Sequence, residues 1–190
     1  RTSVHIHVDM LNKTIVDIYK LFLVYAYVEP VFYELPTAAG LPSRYDNNFC
    51  VPLMHTHRIL SFRSQFMRYF NNPTGNNETS VLNYILQNKE HKYTGFNFHS
   101  LRYHGTIEFR HFPGTANAAL ILSWINYIYR LVRFAESHTV AQLVEELTAL
   151  NSNSAYYATL TRILGHVPVL VTKELLQKLE NGVKWIKFIS

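Results

Sequence analysis

Four polar side chains in two distant stretches could together bind a metal ion and an anion. His5 and His7 alternate with apolar residues near the start of the chain, and Glu108 and Arg110 flank a phenylalanine much later. Because alternate residues of a strand share a face, each pair points to one side of its strand. Imidazole and carboxylate groups bind cations, and a guanidinium group binds phosphate or carboxylate. If the two strands are neighbours in one sheet, the four groups meet above it and suit a divalent cation with a phosphate.

Other polar residues have structural interpretations beside the functional ones. A Glu-x-Arg pair on a strand is also typical of an ion pair on a solvated face. His55 and His57 repeat the His-x-His spacing, but they fall in a predicted loop without nearby carboxylates. His111 should point into the layer opposite Glu108, where a core or interface histidine is expected. Cys50 has no base beside it in the sequence, so the pattern does not indicate a nucleophile.

The composition is that of a chain able to bury a large core. It has 190 residues, of which 48% are hydrophobic and 14% aromatic, and this fits one domain or the larger part of one. No apolar run approaches the roughly 20 residues of a membrane helix, so we expect a soluble protein. The single cysteine favours the reducing cytoplasm. The net charge of +5 favours anionic ligands, but no Lys/Arg-rich run or zinc-finger spacing supports a nucleic-acid partner.

Periodicity and turn residues predict the elements that must position the polar pairs. Residues 3–9 alternate as a strand, which runs into a helix with Asn12 as its N-cap. Pro30 should kink or end this helix, and a polar loop holds Arg44. Helical patterns return at about residues 59–70 and are followed by a turn cluster and a short helix.

The second polar strand is predicted to follow a hairpin. Residues 92–100 alternate again, with Asn97 and His99 on one face. A long helix then begins near Thr115, and its apolar stripe needs a sheet or helix to cover it. That stripe contains Ile121, Trp124, Ile125, Ile128, Leu131, Val132 and Ala135. The pattern from Thr139 onward predicts further helices, with breaks near residues 151–154 and 165–168. Thr172 is the predicted N-cap of the last helix.

The order of these motifs resembles a known family. Residues 92–101, 105–110 and 114–117, with the helix through Trp124, look like the phage and bacterial amidoligases, and residues 4–9 and 42–50 are similar too. Those proteins belong to the glutamine synthetase-like carboxylate-amine ligases. The resemblance covers residues 3 to about 135. It implies an α+β fold, in which an antiparallel sheet forms a platform and helices pack on one face.

The resemblance implies an enzyme that forms an amide bond at the expense of ATP. A carboxylate would attack the γ-phosphate to give an acyl phosphate, from which an amine then displaces phosphate. The implied cofactors are ATP and Mg²⁺ or Mn²⁺, and the partners are small-molecule or peptide carboxylates and amines. The glutamine synthetase-like catalytic domain would occupy residues 1–138, with residues 139–190 as a helical C-terminal extension of it. The setting would be the cytoplasm, or the host cytoplasm for a phage protein.

The resemblance also assigns roles to individual residues. His5 and Glu108 match metal ligands, Glu108 and Arg110 match catalytic residues, and His7, Arg44 and Arg110 match nucleotide contacts. Asn97 is a further predicted nucleotide contact because of its strand face, and hydrogen bonding within the sheet is the alternative for it. One carboxylate makes a poor Mg²⁺ site by itself. In the family, an acidic strand of Gly-x-Glu-x-Glu type upstream of His-x-His supplies more. Because the chain opens at Arg1, we expect a fragment that lacks this strand.

Two alternatives remain open from the sequence. A metal-dependent hydrolase can also begin with His-x-His on a strand, but it would require repeated strand-helix units with further metal ligands. A non-catalytic descendant of the ligase fold could serve as a structural or interaction module, for example in a phage particle. Association with further copies of the chain or with phage particle proteins is open as well.

Overall fold

The structure is a computed structural model that describes residues 3–55, 58–87 and 92–190. In chain order its elements are β1 (Ser3–Asp9), α1 (Ile15–Ala38), a 3₁₀ turn (Leu53–His55), α2 (Arg58–Asn71), α3 (Gly75–Gln87), β2 (Phe96–Asn97), α4 (Ser100–His104), β3 (Thr106–Pro113), α5 (Ala118–Glu136), α6 (Val140–Thr148), α7 (Asn153–Leu164) and α8 (Lys173–Ile189). The fold class is α+β, mostly helical with a small three-stranded antiparallel sheet. This is not the parallel barrel that the hydrolase alternative requires.

The strand that carries Glu108 lies at the centre of the sheet. The strand order is β1-β3-β2, and both neighbours of β3 run antiparallel to it. His7 of β1 and Asn97 of β2 are both paired with Glu108. The prediction that the two polar strands lie side by side is therefore confirmed.

A β-bulge interrupts the pairing of β1 with β3. Between two paired positions, β1 advances from Val4 to Ile6 while β3 advances by three residues, from Phe109 to Phe112. Arg110 and His111 of β3, which have no partner in this pairing, therefore lie opposite a single residue of β1, His5. Bulges bend a strand and re-aim its side chains, and here the bulge lies beside the polar face.

Helix α1 forms the centre of the core. Its N-cap is Thr14, whose side chain forms a capping box with Asp17, so the prediction of Asn12 as the cap was wrong. The helix also continues through Pro30, so it does not end there, and it includes Pro36 as well. Almost every face of α1 is buried, because the sheet, α5 and α8 all pack on it. Burial on all sides outweighs the hydrogen bond that each proline removes.

The C-terminal helices belong to the same packed body. Helices α6 and α8 pack on α1, and α7 packs on α5. The predicted breaks in the tail and the N-cap at Thr172 are confirmed. On α5 the predicted stripe is buried at Trp124 and Ile128, whereas Ile125 is exposed.

The predicted hairpin is more irregular than its alternation indicates. Strand β2 contains only two residues, and α4 occupies the connection to β3. Gly105 then reverses the chain with a φ of 63°, a conformation that glycine adopts readily. None of the described helices combines the length and apolar character needed to cross a bilayer.

Candidate active site

Glu108 is the centre of a hydrogen-bonded cluster on the polar face of the sheet. Its Oε1 lies 2.5 Å from His5 Nδ1, 3.8 Å from His7 Nε2 and 3.6 Å from Arg110 Nε. Its Oε2 accepts a hydrogen bond of 2.6 Å from Asn97 Nδ2. The structure thus brings four of the other five predicted site residues around the carboxylate of Glu108.

The surroundings of Glu108 keep it ionised. Burial by itself would raise the pKa of this carboxyl group. The hydrogen bonds from His5 and Asn97, together with the charge of Arg110, outweigh burial and lower the pKa of Glu108 to about 2. The carboxylate is therefore a fixed negative charge at any physiological pH.

His7 is held by two hydroxyl groups that the sequence did not single out. Its Nδ1 lies 2.8 Å from Thr106 Oγ1 and 3.3 Å from Ser100 Oγ, and these two hydroxyls lie 2.9 Å apart. His104 of α4 meets the ring edge-on at 5.7 Å between centroids. Helix α4, which the sequence did not predict, thus orients His7 toward Glu108.

Two arginines converge on a cleft of about 820 Å³ at one end of the sheet. Arg44 from the loop after α1 and Arg110 from β3 line it, with His5, Ser3 and Asn47. Arg44 is only 9% exposed. Among the described residues, neither arginine has a hydrogen-bond partner for its buried Nε. Guanidinium N–H groups without partners fit an oxyanion such as phosphate or carboxylate.

A second cleft, of about 380 Å³, lies on the other side of Glu108 and Arg110. His7, Asn97 and Lys92 line it. Arg110 Nη1 donates to the main-chain oxygen of Lys92, which fixes the guanidinium between the two clefts. The predicted nucleotide contacts are therefore divided: Arg44 lines the larger cleft, His7 and Asn97 line the smaller, and Arg110 lines both.

The donor atoms of the two predicted metal ligands limit the kind of ion that they could bind. His5 and Glu108 are in direct contact, but the described residues contain no group of three or more His, Cys, Asp and Glu side chains arranged to hold a metal ion. Mg²⁺ is often held by one or two carboxylates together with phosphate oxygens and water. Glu108 and His5 therefore fit an ion that arrives bound to a nucleotide, and do not fit one held by protein alone.

The remaining candidates lie away from this cluster or outside the described residues. His111 points into the core, where Tyr25 Oη lies 2.9 Å from its Nε2, and burial lowers its pKa to about 3. This confirms its prediction as a core histidine. Cys50 is fully buried, with its Sγ 3.4 Å from the Arg110 carbonyl oxygen. His57 and the side chain of His55 fall outside the residues that the structure describes.

Comparison with known proteins adds one match to this geometry. A family model described as "Putative amidoligase enzyme" matches residues 1–132, well over half of the 190 residues. The match includes β1, β2, β3, the loop with Arg44 and most of α5. Neither the search of curated proteins nor the search of solved structures returned a match. The chain therefore belongs to the amidoligase family.

Proposed function

We propose that the protein is an ATP-dependent carboxylate-amine ligase that works through an acyl phosphate. The observation that carries the proposal is the convergence of Glu108, His5 and Arg110 between two clefts, one of which also contains Arg44. Membership of the amidoligase family supports a ligase. We also propose that the three-stranded sheet corresponds to part of a glutamine synthetase-like platform.

In this proposal the larger cleft receives the phosphates of ATP. Arg44 and Arg110 present partly buried guanidinium groups there, and burial strengthens their attraction for an anion. Mg²⁺ or Mn²⁺ would be held by Glu108 and His5 and would neutralise phosphate charge. Asn97 acts through Glu108, because its amide fixes one carboxylate oxygen. His7 is proposed to contact the nucleotide from the smaller cleft.

The reaction places few covalent demands on the protein. A carboxylate oxygen of the substrate attacks the γ-phosphorus, and the bond from phosphorus to the bridging oxygen of ADP breaks. The amine nitrogen then attacks the acyl carbon, loses a proton, and inorganic phosphate leaves. Positioning and charge neutralisation supply most of the catalysis in such phosphoryl transfers. Arg110, which lines both clefts, is well placed to hold the transferring group.

Trapping of the acyl phosphate tests the proposal without knowledge of the natural amine. Hydroxylamine is used as the amine with a mixture of amino acids and short peptides as acids, and hydroxamate and ADP are measured. We expect ATP-dependent hydroxamate formation by the intact protein. Glu108→Gln should lower it at least about a hundredfold, because the substitution removes the charge that orients His5 and Arg110.

A control variant with the same substitution elsewhere distinguishes a loss of catalytic activity from a loss of folded protein. Glu145→Gln makes the same change at an exposed position of α6 and should leave the rate unchanged. Both variants should retain the melting temperature of the unaltered chain within a few degrees. Full turnover by Glu108→Gln would remove this carboxylate from the mechanism.

A further inference from the structure

A cavity separate from the two clefts of the candidate active site lies between α1 and α8. It has a volume of about 440 Å³ and is enclosed by α1, α8 and the segment between Tyr45 and Met54. Small-molecule sites are typically cavities of about 300–1,000 Å³ that are mostly apolar with a few polar groups. This cavity has that size and that character, and no residue of the proposed active site lines it.

The walls of the cavity are rich in aromatic rings. Tyr33, Tyr45, Trp185 and Phe188 line it, together with proline and methionine side chains. Phe188 is 44% exposed, although it faces an apolar space. Rings gain most from contact with another planar ring, in stacked or edge-on geometry. The lining therefore favours a flat aromatic molecule over a branched aliphatic one.

The charged groups of the lining favour an anion. Lys178 and Lys184 of α8 are the two basic residues of the lining. Glu29 is the acidic residue of the lining, but its carboxylate already accepts hydrogen bonds from Tyr25 Oη and from two main-chain N–H groups. A buried carboxylate with three donors has no need of a cationic ligand.

The present partners of the two lysines can be exchanged. Lys178 Nζ lies 2.8 Å from a carboxylate oxygen of Glu174 and 3.4 Å from one of Glu34, and Lys184 Nζ lies 2.8 Å from one of Glu180. None of these glutamates lines the cavity. The side chain of Glu174 is 77% exposed, and ion pairs at such positions contribute little to stability. A ligand carboxylate would replace these contacts at little cost.

We propose that this cavity is a binding site for a small planar aromatic carboxylate. The rings of the lining would hold the aromatic part, and the two lysines would bind the carboxylate. The proposal does not depend on the ligase activity, because it uses none of the residues around Glu108. Tyr45 lines this cavity while the next residue back, Arg44, lines the phosphate cleft, so the two sites share only one loop.

Calorimetric titration of the full chain with 2-naphthoate tests the proposal, with 2-naphthamide as the uncharged analogue. We expect one saturable site for 2-naphthoate and at least tenfold weaker binding of the amide. The double variant Lys178→Gln/Lys184→Gln should also bind 2-naphthoate at least tenfold more weakly. Lys187→Gln is the matched control, because Lys187 is an exposed lysine of α8 outside the cavity lining.

Three results would overturn the proposal. The first is no saturable binding of 2-naphthoate at millimolar concentration. The second is equal affinity of the double variant and Lys187→Gln. The third is displacement of 2-naphthoate by a non-hydrolysable ATP analogue, which would make the cavity part of the nucleotide site. A chain without ligase activity that still binds 2-naphthoate would leave this proposal intact, so the two proposals fail separately.

Discussion

At the scale of single residues, the least expected group is Glu29 in the middle of α1. It is 2% exposed, and burial raises its pKa to about 7 despite the hydrogen bonds from Tyr25, Leu53 and Met54. In the unfolded chain the pKa is near 4.5. The folded state therefore binds the proton more tightly. This contribution to stability is fully present below about pH 4.5 and is lost as the pH rises to about 7.

Glu29→Gln should remove this part of the pH dependence. Between pH 4.5 and 7 the unaltered chain should lose about 3 kcal/mol of unfolding free energy relative to the variant, since each pKa unit corresponds to about 1.4 kcal/mol. The buried His111 acts in the opposite direction, but it is present in both proteins and cancels in the comparison. Urea titrations at four pH values measure the difference. A constant difference across this range would contradict the assignment.

Residue types and spacing predicted the centre of the candidate site but not its supports. Alternation predicted that His5 and His7 share one face of their strand and that Glu108 and Arg110 share one face of theirs, and the pairing of β1 with β3 brings these faces together. The hydroxyls of Thr106 and Ser100 were missed, because their contact with His7 depends on the position of α4. Glu29 was missed for a similar reason, since its main-chain partners lie more than 20 residues away along the chain.

At the scale of elements, alternation predicted which side chains share a face of β1 and β3, except at the bulge. Strict alternation would place His111 in the core and Phe112 outside. In the structure both residues contact Trp124, because the bulge shifts the register between them and β1. A bulge has no sequence signature as strong as a proline or a glycine turn, so the pattern predicted a regular strand.

The close contact between α1 and α8 requires glycine at position 182. Pro30 has no N–H to donate to the Ala26 carbonyl one turn earlier, and Gly182 of α8 packs against that carbonyl. A Cβ at position 182 would lie 2.8 Å from the oxygen of Ala26. The neighbouring element is backbone, which cannot move aside as a flexible side chain can.

Gly182→Ala should therefore destabilise the protein by about 1–2 kcal/mol. The clash would cost about 1–3 kcal/mol, of which the better helix propensity of alanine recovers up to about 1 kcal/mol. Urea denaturation measures the change. Asn181→Ala, at the exposed neighbouring position, should stay within about 0.5 kcal/mol of the unaltered chain. An increase in stability for Gly182→Ala would show that the helices are less closely packed.

At the scale of the whole molecule, the C-terminal helices complete the core. The sequence predicted a helical tail but could not show what it covers, because amphipathic periodicity identifies an apolar face and not its partner. In the structure α8 buries Leu179, Val183 and Ile186 against the rest of the core, and α6 also packs on α1. Almost every face of α1 is covered only when the tail is present.

Removal of residues 139–190 should therefore abolish cooperative unfolding. The shortened chain 1–138 would expose apolar surface of α1 that the tail now covers, and we expect it to aggregate or to lose a sharp transition. Circular dichroism during urea titration compares the two chains. A cooperative transition of the shortened chain at the same midpoint would show that the tail contributes little to this core.

The reactivity of the single cysteine can report how often the loop that carries Arg44 opens. Cys50 is fully buried, burial raises the pKa of its thiol, and Tyr33 holds its carbonyl oxygen at 2.7 Å. A thiol reagent in solution can reach this sulfur only when the segment that also carries Arg44 swings open. The labelling rate therefore counts those openings, and we expect saturating ATP to slow it because phosphate would tether Arg44. Unchanged labelling would mean that the nucleotide leaves the loop free.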